Sequence, residues 1–186
     1  MKKLALALFT ILMMSVGAQA QHVFNKGDMG INAGLGVGGL GGLYPSIEAS
    51  FELGVIPTGD IGLVSFGGVV GWKYSRQTYD YWYYNETLHY NQFIIGGRGT
   101  WHLHSFTSDK YDVYGGVGVG LRLHADYNYD SWDDQEGWTP TKDSKASIYE
   151  EIFVGGRMML NPGFGLFAEV GYSRISNVRF GLTFTM

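Results

Sequence analysis

The sequence predicts an all-β fold, an eight-stranded antiparallel transmembrane up-and-down β-barrel. Three observations carry this. Apolar and polar residues alternate with a period of two over stretches longer than an ordinary strand. Charge is confined to one of the two alternating faces. The connections switch between tight turns and long polar segments, as in a barrel with short turns on one side of a membrane and longer loops on the other. Residues 113–127 are the clearest case. Val113, Gly115, Val117, Val119, Leu121, Leu123, Ala125 and Tyr127 share one face, and Tyr114, Gly116, Gly118, Gly120, Arg122, His124 and Asp126 the other.

Residues 1–20 are read as a signal peptide. Lys2 and Lys3 form a basic start and residues 4–16 an apolar run too short for a comfortable helical span. Ala18-Gln19-Ala20 fits a cleavage site, so the barrel domain is expected to occupy 21–186. No later segment offers eighteen uncharged apolar residues, which excludes a helical bundle in the inner membrane. The chain has no cysteine, so export brings no disulfide. Loss of Lys2 and Lys3 takes the formal net charge from -4 to -6, a poor balance for nucleic-acid binding. The 29 glycines follow no Gly-X-Y period, which excludes collagen.

The strands are expected at 28–38, 43–55, 61–74, 88–104, 111–127, 146–160, 164–174 and 177–186. Tight connections follow the second, fourth and sixth: 56–60, which contains Pro57 and Gly59; 106–110; and 161–163, Asn-Pro-Gly. The second strand alternates Ile47, Ala49, Phe51, Leu53 and Val55 with Glu48, Ser50, Glu52 and Gly54. The third points Val64, Phe66, Val70 and Trp72 outward but also places Ile61, Leu63 and Val69 inward. The fourth has Phe93, Ile95, Trp101 and Leu103 out and Gln92, Arg98, Thr100 and His102 in. The sixth has Ile152, Val154 and Met158 out and Glu151 and Arg157 in. In the seventh, Phe164, Leu166, Ala168, Val170 and Tyr172 face out and Glu169 in. The eighth alternates Val178, Phe180, Leu182, Phe184 and Met186 with Arg179, Gly181, Thr183 and Thr185.

Lipid satisfies no open sheet edge, so the sheet must close, and eight strands leave an interior filled by side chains. Inward Gly116, Gly118, Gly120, Gly155 and Gly181 make room for long neighbours. Glu48, Glu52, Lys73, Arg98, Arg122, His124, Asp126, Glu151, Arg157, Glu169 and Arg179 are expected to form a connected interior polar network, because unpaired charges are costly to bury. Tyr44, Trp72, Tyr74, Tyr90, Tyr127, Tyr149 and Tyr172 suggest one aromatic girdle, and Trp101, Phe164 and Phe184 the other. A soluble lipocalin-like barrel is the structural rival; it requires an apolar cavity and a polar exterior.

Three segments carry a resemblance: GGRGTWHLHS at 96–105, YDVYGGVGVGLRL at 111–123 and GGRMMLNPGFGLFAEVGYS at 155–173. With them the chain resembles the small outer-membrane β-barrel proteins related to the OmpA transmembrane domain and OmpX, in particular the Bacteroidota-type porin-family barrels. The ending VRFGLTFTM resembles a barrel-assembly signal, although Met186 replaces the usual terminal aromatic. The resemblance implies localisation in a Gram-negative outer membrane. It also implies contact with outer-membrane lipids and lipopolysaccharide, and a role in envelope integrity, adhesion or, occasionally, lipid chemistry.

Two external segments are candidate contact surfaces. In 76–87, Tyr79, Tyr81, Trp82, Tyr83 and Tyr84 form a dense aromatic group, suited to protein or sugar contacts or to packing that extends the sheet above the membrane. In 128–145, Asp130, Asp133, Asp134 and Glu136 supply oxygen ligands, but their spacing is not that of an EF-hand and a solvated acidic loop is the plainer reading. For catalysis the compact candidates are His102, His104 and Ser105, placed at the turn side, and Glu86 with His89 near the outer rim. No nucleophile pattern accompanies them. The expectation is a structural or interaction barrel, not an enzyme, with no cofactor and no metal. It is expected to be monomeric, with an envelope or surface protein as partner and no nucleic acid. A narrow transport channel and a lipid A-modifying enzyme are the alternatives.

Overall fold

A computed structural model describes residues 22–80, 85–106, 108–128, 132–133, 137–138 and 141–186, with side chains described throughout except at 77–80, 85–88, 126–128, 132–133, 137–138 and 141–143. The strands are β1 (Met29–Val37), β2 (Ser46–Pro57), β3 (Gly62–Asp80), β4 (Asn85–Leu103), β5 (Tyr111–Asn128), β6 (Trp132–Asp133), β7 (Gly137–Trp138), β8 (Thr141–Asn161), β9 (Phe164–Ser173) and β10 (Val178–Thr185). Eight of them close into a ring in the order β1-β2-β3-β4-β5-β8-β9-β10, while β6 and β7 pair only with each other. Every neighbour in the ring is antiparallel, and β10 returns to β1 from Gly30↔Thr185 to Val37↔Val178. Met29 and Met186 exchange both backbone hydrogen bonds at the seam, 2.7 and 3.0 Å. The eight-stranded ring itself has no open edge.

The pleat decides which residues meet the lumen. Exposed Leu35, Phe51, Val70, Ile95, Val119, Val154, Val170 and Phe180, one from each ring strand, belong to an apolar belt around the outside. Glu48, Glu52, Lys73, Arg98, Arg157, Glu169 and Arg179 are buried inside. This is the inverse of a lipocalin-like barrel, which the polar lumen rules out. Leu63 and Val69 point inward as expected, at 1% and 3% exposure. Ile61 does not: it sits in a single 3₁₀ turn, Gly59–Ile61, and is 56% exposed.

Three further expectations need correction. The strands bounding the long connections run further than expected, because β3 and β4 pair to Asp80↔Asn85 and β5 and β8 to Asn128↔Thr141. Backbone pairing continues where the apolar face has ended. Tyr149 is not a girdle residue; it is fully buried, on the same face of β8 as Glu151 and Phe153. Tyr90 is half-buried and shares the inward face of β4 with Gln92, lining a cavity at the mouth. Tyr44, Trp72, Tyr74, Tyr172, Trp101 and Phe184 do lie exposed on the outside.

Both ends of the lumen are stoppered. At the end bearing the short turns, the arm before β1 inserts Phe24, 1% exposed, against the His102 ring at 4.5 Å. At the end bearing the long connections, Ile175 in the β9–β10 turn is fully buried against Val69, Ile94 and Tyr149. Two β-bulges, between Gly54 and Ile56 and between Met159 and Asn161, bend the ring at its short-turn end.

Candidate functional site

Among the described residues the lumen holds two ion-pair clusters stacked along the barrel axis. The central one joins β2, β4, β8, β9 and β10. Arg98 Nε is 2.8 Å from Glu151 and its Nη2 2.9 Å from Glu169. Arg179 reaches Glu151 at 2.6 Å, Glu169 at 3.0 Å and Glu48 at 3.3 Å. Both guanidinium groups lie over the Phe153 ring, at 3.9 and 5.2 Å. Three carboxylates share two cations, and Ser46 adds a hydrogen bond of 2.6 Å to Glu48. Hydrogen bonds on both lone-pair and proton sides offset the desolvation of these ions.

The second cluster lies nearer the short turns. Arg157 pairs with Glu52, with Asp112 at 3.4 Å and with Asn32 at 3.3 Å. Thr183 donates to the same Asn32 oxygen at 2.7 Å. Arg157 is held between the rings of Phe24 and Tyr114, 5.3 and 4.8 Å from its guanidinium carbon. Tyr114 links the clusters, since its hydroxyl donates to Glu169 at 3.1 Å. One gap beside the central cluster, lined by Asn32, Glu48, Arg98, Glu169 and Arg179 among others, measures about 10 Å³. That is the threshold for one water molecule, not a conduction path.

A Ser–His–Asp order also appears in this cluster. Ser65 Oγ lies 3.1 Å from His102 Nε2, and His102 Nδ1 donates to Asp112 at 2.8 Å. The Ser65 hydroxyl donates instead to Glu52 Oε2 at 2.6 Å, which itself sits 3.2 Å from His102 Nε2. Ser65 and His102 are both completely buried and Phe24 covers the ring. A nucleophile needs reach to a substrate and a base that takes its proton. Here the acceptor is a carboxylate and both side chains are sealed from solvent, so the arrangement is a buried hydrogen-bond network. Asp112 is not among the expected interior charges, although it shares the face of Tyr114 and Gly116 in β5.

The remaining sequence candidates separate from the clusters. Among the described residues Lys73 forms no ion pair within the network: its ammonium donates to the carbonyls of Gly38 at 2.5 Å, Gly42 at 3.1 Å and Ile175 at 3.1 Å. It thereby ties the β1–β2 connection and the β9–β10 turn into the mouth. Arg122 donates to Ser147 at 3.0 Å, and Arg122 and His124 line the mouth cavity. The side chain of Asp126 lies outside the described residues, as do those of Tyr79, Glu86 and Asp133 and the whole of Tyr81, Trp82, Tyr83, Tyr84, Asp130, Asp134 and Glu136. His89 pairs with the Tyr74 hydroxyl at 2.5 Å. His104 stacks on His22 at 3.8 Å outside the lumen; burial, with the neighbouring His22 and His102, holds its pKa below the usual histidine value. Among the described residues no group of three or more His, Asp or Glu side chains is placed to hold a metal ion.

No family model and no curated protein sequence matches the chain. Solved structures do. The N-terminal β-barrel domain of Pseudomonas aeruginosa OprF is 14% identical, with a TM-score of 0.50 over 87% of this chain and 98% of that one. Ail, the attachment invasion locus protein of Yersinia pestis, is 11% identical, with a TM-score of 0.46 over 86% of this chain and 95% of that one. Ail in complex with the heparin analogue sucrose octasulfate gives 13% identity and a TM-score of 0.45, over 86% and 96%. The OprF likeness establishes the fold: a closed ring of eight antiparallel strands of the kind found in outer-membrane barrels.

Proposed function

We propose that this protein is a monomeric, non-catalytic barrel of a Gram-negative outer membrane, exported through cleavage of residues 1–20 and serving a structural or interaction role. The observation that carries the reading is the inverted amphipathicity of the ring. Isolated Ile, Val, Leu and Phe side chains on a surface are ordinary, but a continuous apolar belt on all eight strands is stable only against lipid. A plugged lumen is favoured over a transport role by the gap of about 10 Å³ beside the central cluster and by Phe24 and Ile175 at its ends. Function then falls to the long-connection end and to the lipid-facing surface. The partners proposed there are outer-membrane lipids and lipopolysaccharide, and an envelope or surface protein meeting the 76–87 and 128–145 segments.

The test combines three measurements on one preparation. The native protein should fractionate with outer membranes with Gln21 as its first residue. It should migrate differently before and after boiling in a detergent gel. It should also give no steady conductance in planar bilayers. Monomeric solubility without detergent would overturn the membrane reading, and steady single-molecule conductance would overturn the plugged lumen.

A further inference from the structure

We propose that the outer face of β2–β5 holds one molecule of lipid A, with its acyl chains in a groove of the barrel wall and a phosphate at Arg76. This site rests on the outer-membrane reading above and gives the lipid contact a fixed address on the belt. Two apolar depressions of about 480 and 420 Å³ adjoin on the outside of the barrel and share Ala49, Val70 and Ile95. A third, of about 370 Å³, shares Phe93 and Leu123 with the first and runs on to Ala125 and Ser144. Each volume is in the range of small-molecule sites. The register makes the groove continuous, because two cross-strand rows cross it: Ile47, Trp72, Phe93 and Leu123, then Ala49, Val70 and Ile95. Ala49 is half-buried between exposed Ile47 and Phe51 on the same face of β2, so the wall is hollow there.

The groove opens toward the long-connection end, which is external in that reading. Trp72 stands at its upper edge with Phe93, their ring centroids 6.4 Å apart. Tyr74 and Arg76 follow Trp72 on the same face of β3, and all three are exposed. Four residues of strand carry Arg76 about 13 Å beyond Trp72. Across the ladder Tyr74 faces Asn91 and Arg76 faces His89, and the Tyr74 hydroxyl meets His89 Nδ1 at 2.5 Å. The apolar wall therefore ends in a polar rim that carries a cation, beyond the aromatic girdle where lipid headgroups begin. A guanidinium matches phosphate oxygens in charge and in fork geometry. On β8 and β9 the corresponding cation is already used, since Arg174 pairs with Glu150 at 2.5 Å. Contiguous depressions below a single cation suit several acyl chains carried by one phosphorylated headgroup. That is the chemistry of lipid A, and the outer leaflet is where it lies.

The test is native mass spectrometry of the full barrel released from phosphatidylcholine nanodiscs that contain lipid A and phosphatidylglycerol in equal trace amounts. The wild type is expected to retain one lipid A per barrel in preference to phosphatidylglycerol. Arg76→Gln should lower that retention about fivefold or more, the effect of losing one cation at an anionic lipid surface. Ala49→Trp fills the hollow and should lower it similarly. Val154→Trp, on the belt of β8, should leave it unchanged. The gel shift on boiling checks that each variant is folded, so failure to fold is not read as failure to bind. Equal retention of the two lipids, a preference for phosphatidylglycerol, retention unchanged in Arg76→Gln or Ala49→Trp, or an equal loss in Val154→Trp overturns the site. A barrel that fractionates with outer membranes yet retains no lipid A defeats this site alone. One that stays soluble without detergent defeats the membrane reading beneath it as well.

Discussion

Replacing Arg179 by Met tests whether the central cluster holds the barrel together. Arg179 contacts Glu48, Glu151 and Glu169 between 2.6 and 3.3 Å, with only 6% of its surface exposed. Three carboxylates and two guanidinium groups give the cluster a formal charge of about −1, and Arg179→Met makes it about −2 with Arg98 as the remaining cation. Breaking a buried pair in this way costs roughly 3–5 kcal/mol, chiefly because the abandoned carboxylates stay buried. Glu48→Gln neutralises the excess charge and is expected to cost less than about 1 kcal/mol. The double variant restores the wild-type charge, so its loss should fall short of the sum by about 1–2 kcal/mol. Urea unfolding in detergent micelles, followed by tryptophan fluorescence and gel mobility, measures all four proteins. A loss below about 1 kcal/mol for Arg179→Met, or strict additivity in the double variant, would refute the reasoning.

Other perturbations address the ends and the outer face. Lys73→Met removes three charge-assisted hydrogen bonds to Gly38, Gly42 and Ile175. It should cost about 2–3 kcal/mol and speed proteolytic cleavage within 38–45; an unchanged cleavage rate would count against the tie. His104 has a depressed pKa when folded, so its contribution is intact above its unfolded value near 6.5 and is lost as pH falls through the folded value. The urea midpoint should therefore drop from pH 7.5 to 5.5, less steeply in His104→Gln than in wild type. Val119, 64% exposed on β5, faces the belt, and Val119→Arg should destabilise the barrel in lipid by about 2–4 kcal/mol while leaving its detergent fold nearly unchanged.

The period of two was sufficient to place most of the lumen. Glu48, Glu52, Arg98, Glu151, Arg157, Glu169 and Arg179 all lie on the face their strands assign them. What alternation does not encode is what arrives from outside the strands. Phe24 precedes β1 and Ile175 sits in a turn, so neither has a periodic neighbour, yet they close the two ends. Lys73 was legible as an inward cation, but its partners are loop carbonyls, and no side-chain pattern predicts those. The strand extensions toward Asp80 and Thr141 were illegible for a related reason. Beyond the lipid both faces of a hairpin meet water, and the apolar face that reveals a strand is gone. Tyr90 and Tyr149 were misplaced by residue type against the parity of their own strands, which put them inside with Gln92 and Glu151.

The register explains a further regularity that single strands conceal. Long lumen side chains stand beside glycine on a neighbouring strand: Glu48 beside Gly34 and Gly71, Glu52 beside Gly30 and Gly67, Arg98 beside Gly67 and Gly118, Glu151 beside Gly118, Glu169 beside Gly155 and Arg179 beside Gly36. A narrow ring accommodates a crowded charge cluster only if the facing positions carry no side chain. Gly118 is an instance in which the neighbour is held in place. A Cβ there would lie 2.6 Å from Glu151 Oε1, and that carboxylate is pinned by Arg98 and Arg179. Gly118→Ala should therefore cost about 1–3 kcal/mol by overpacking. Gly97, on the outer face of β4, is the matched control, because a Cβ there meets nothing closer than 3.8 Å. Gly97→Ala should stay within about 0.5 kcal/mol of wild type in the same urea titration. Equal losses at the two positions would mean that glycine serves the backbone of this barrel and not the space its charges occupy.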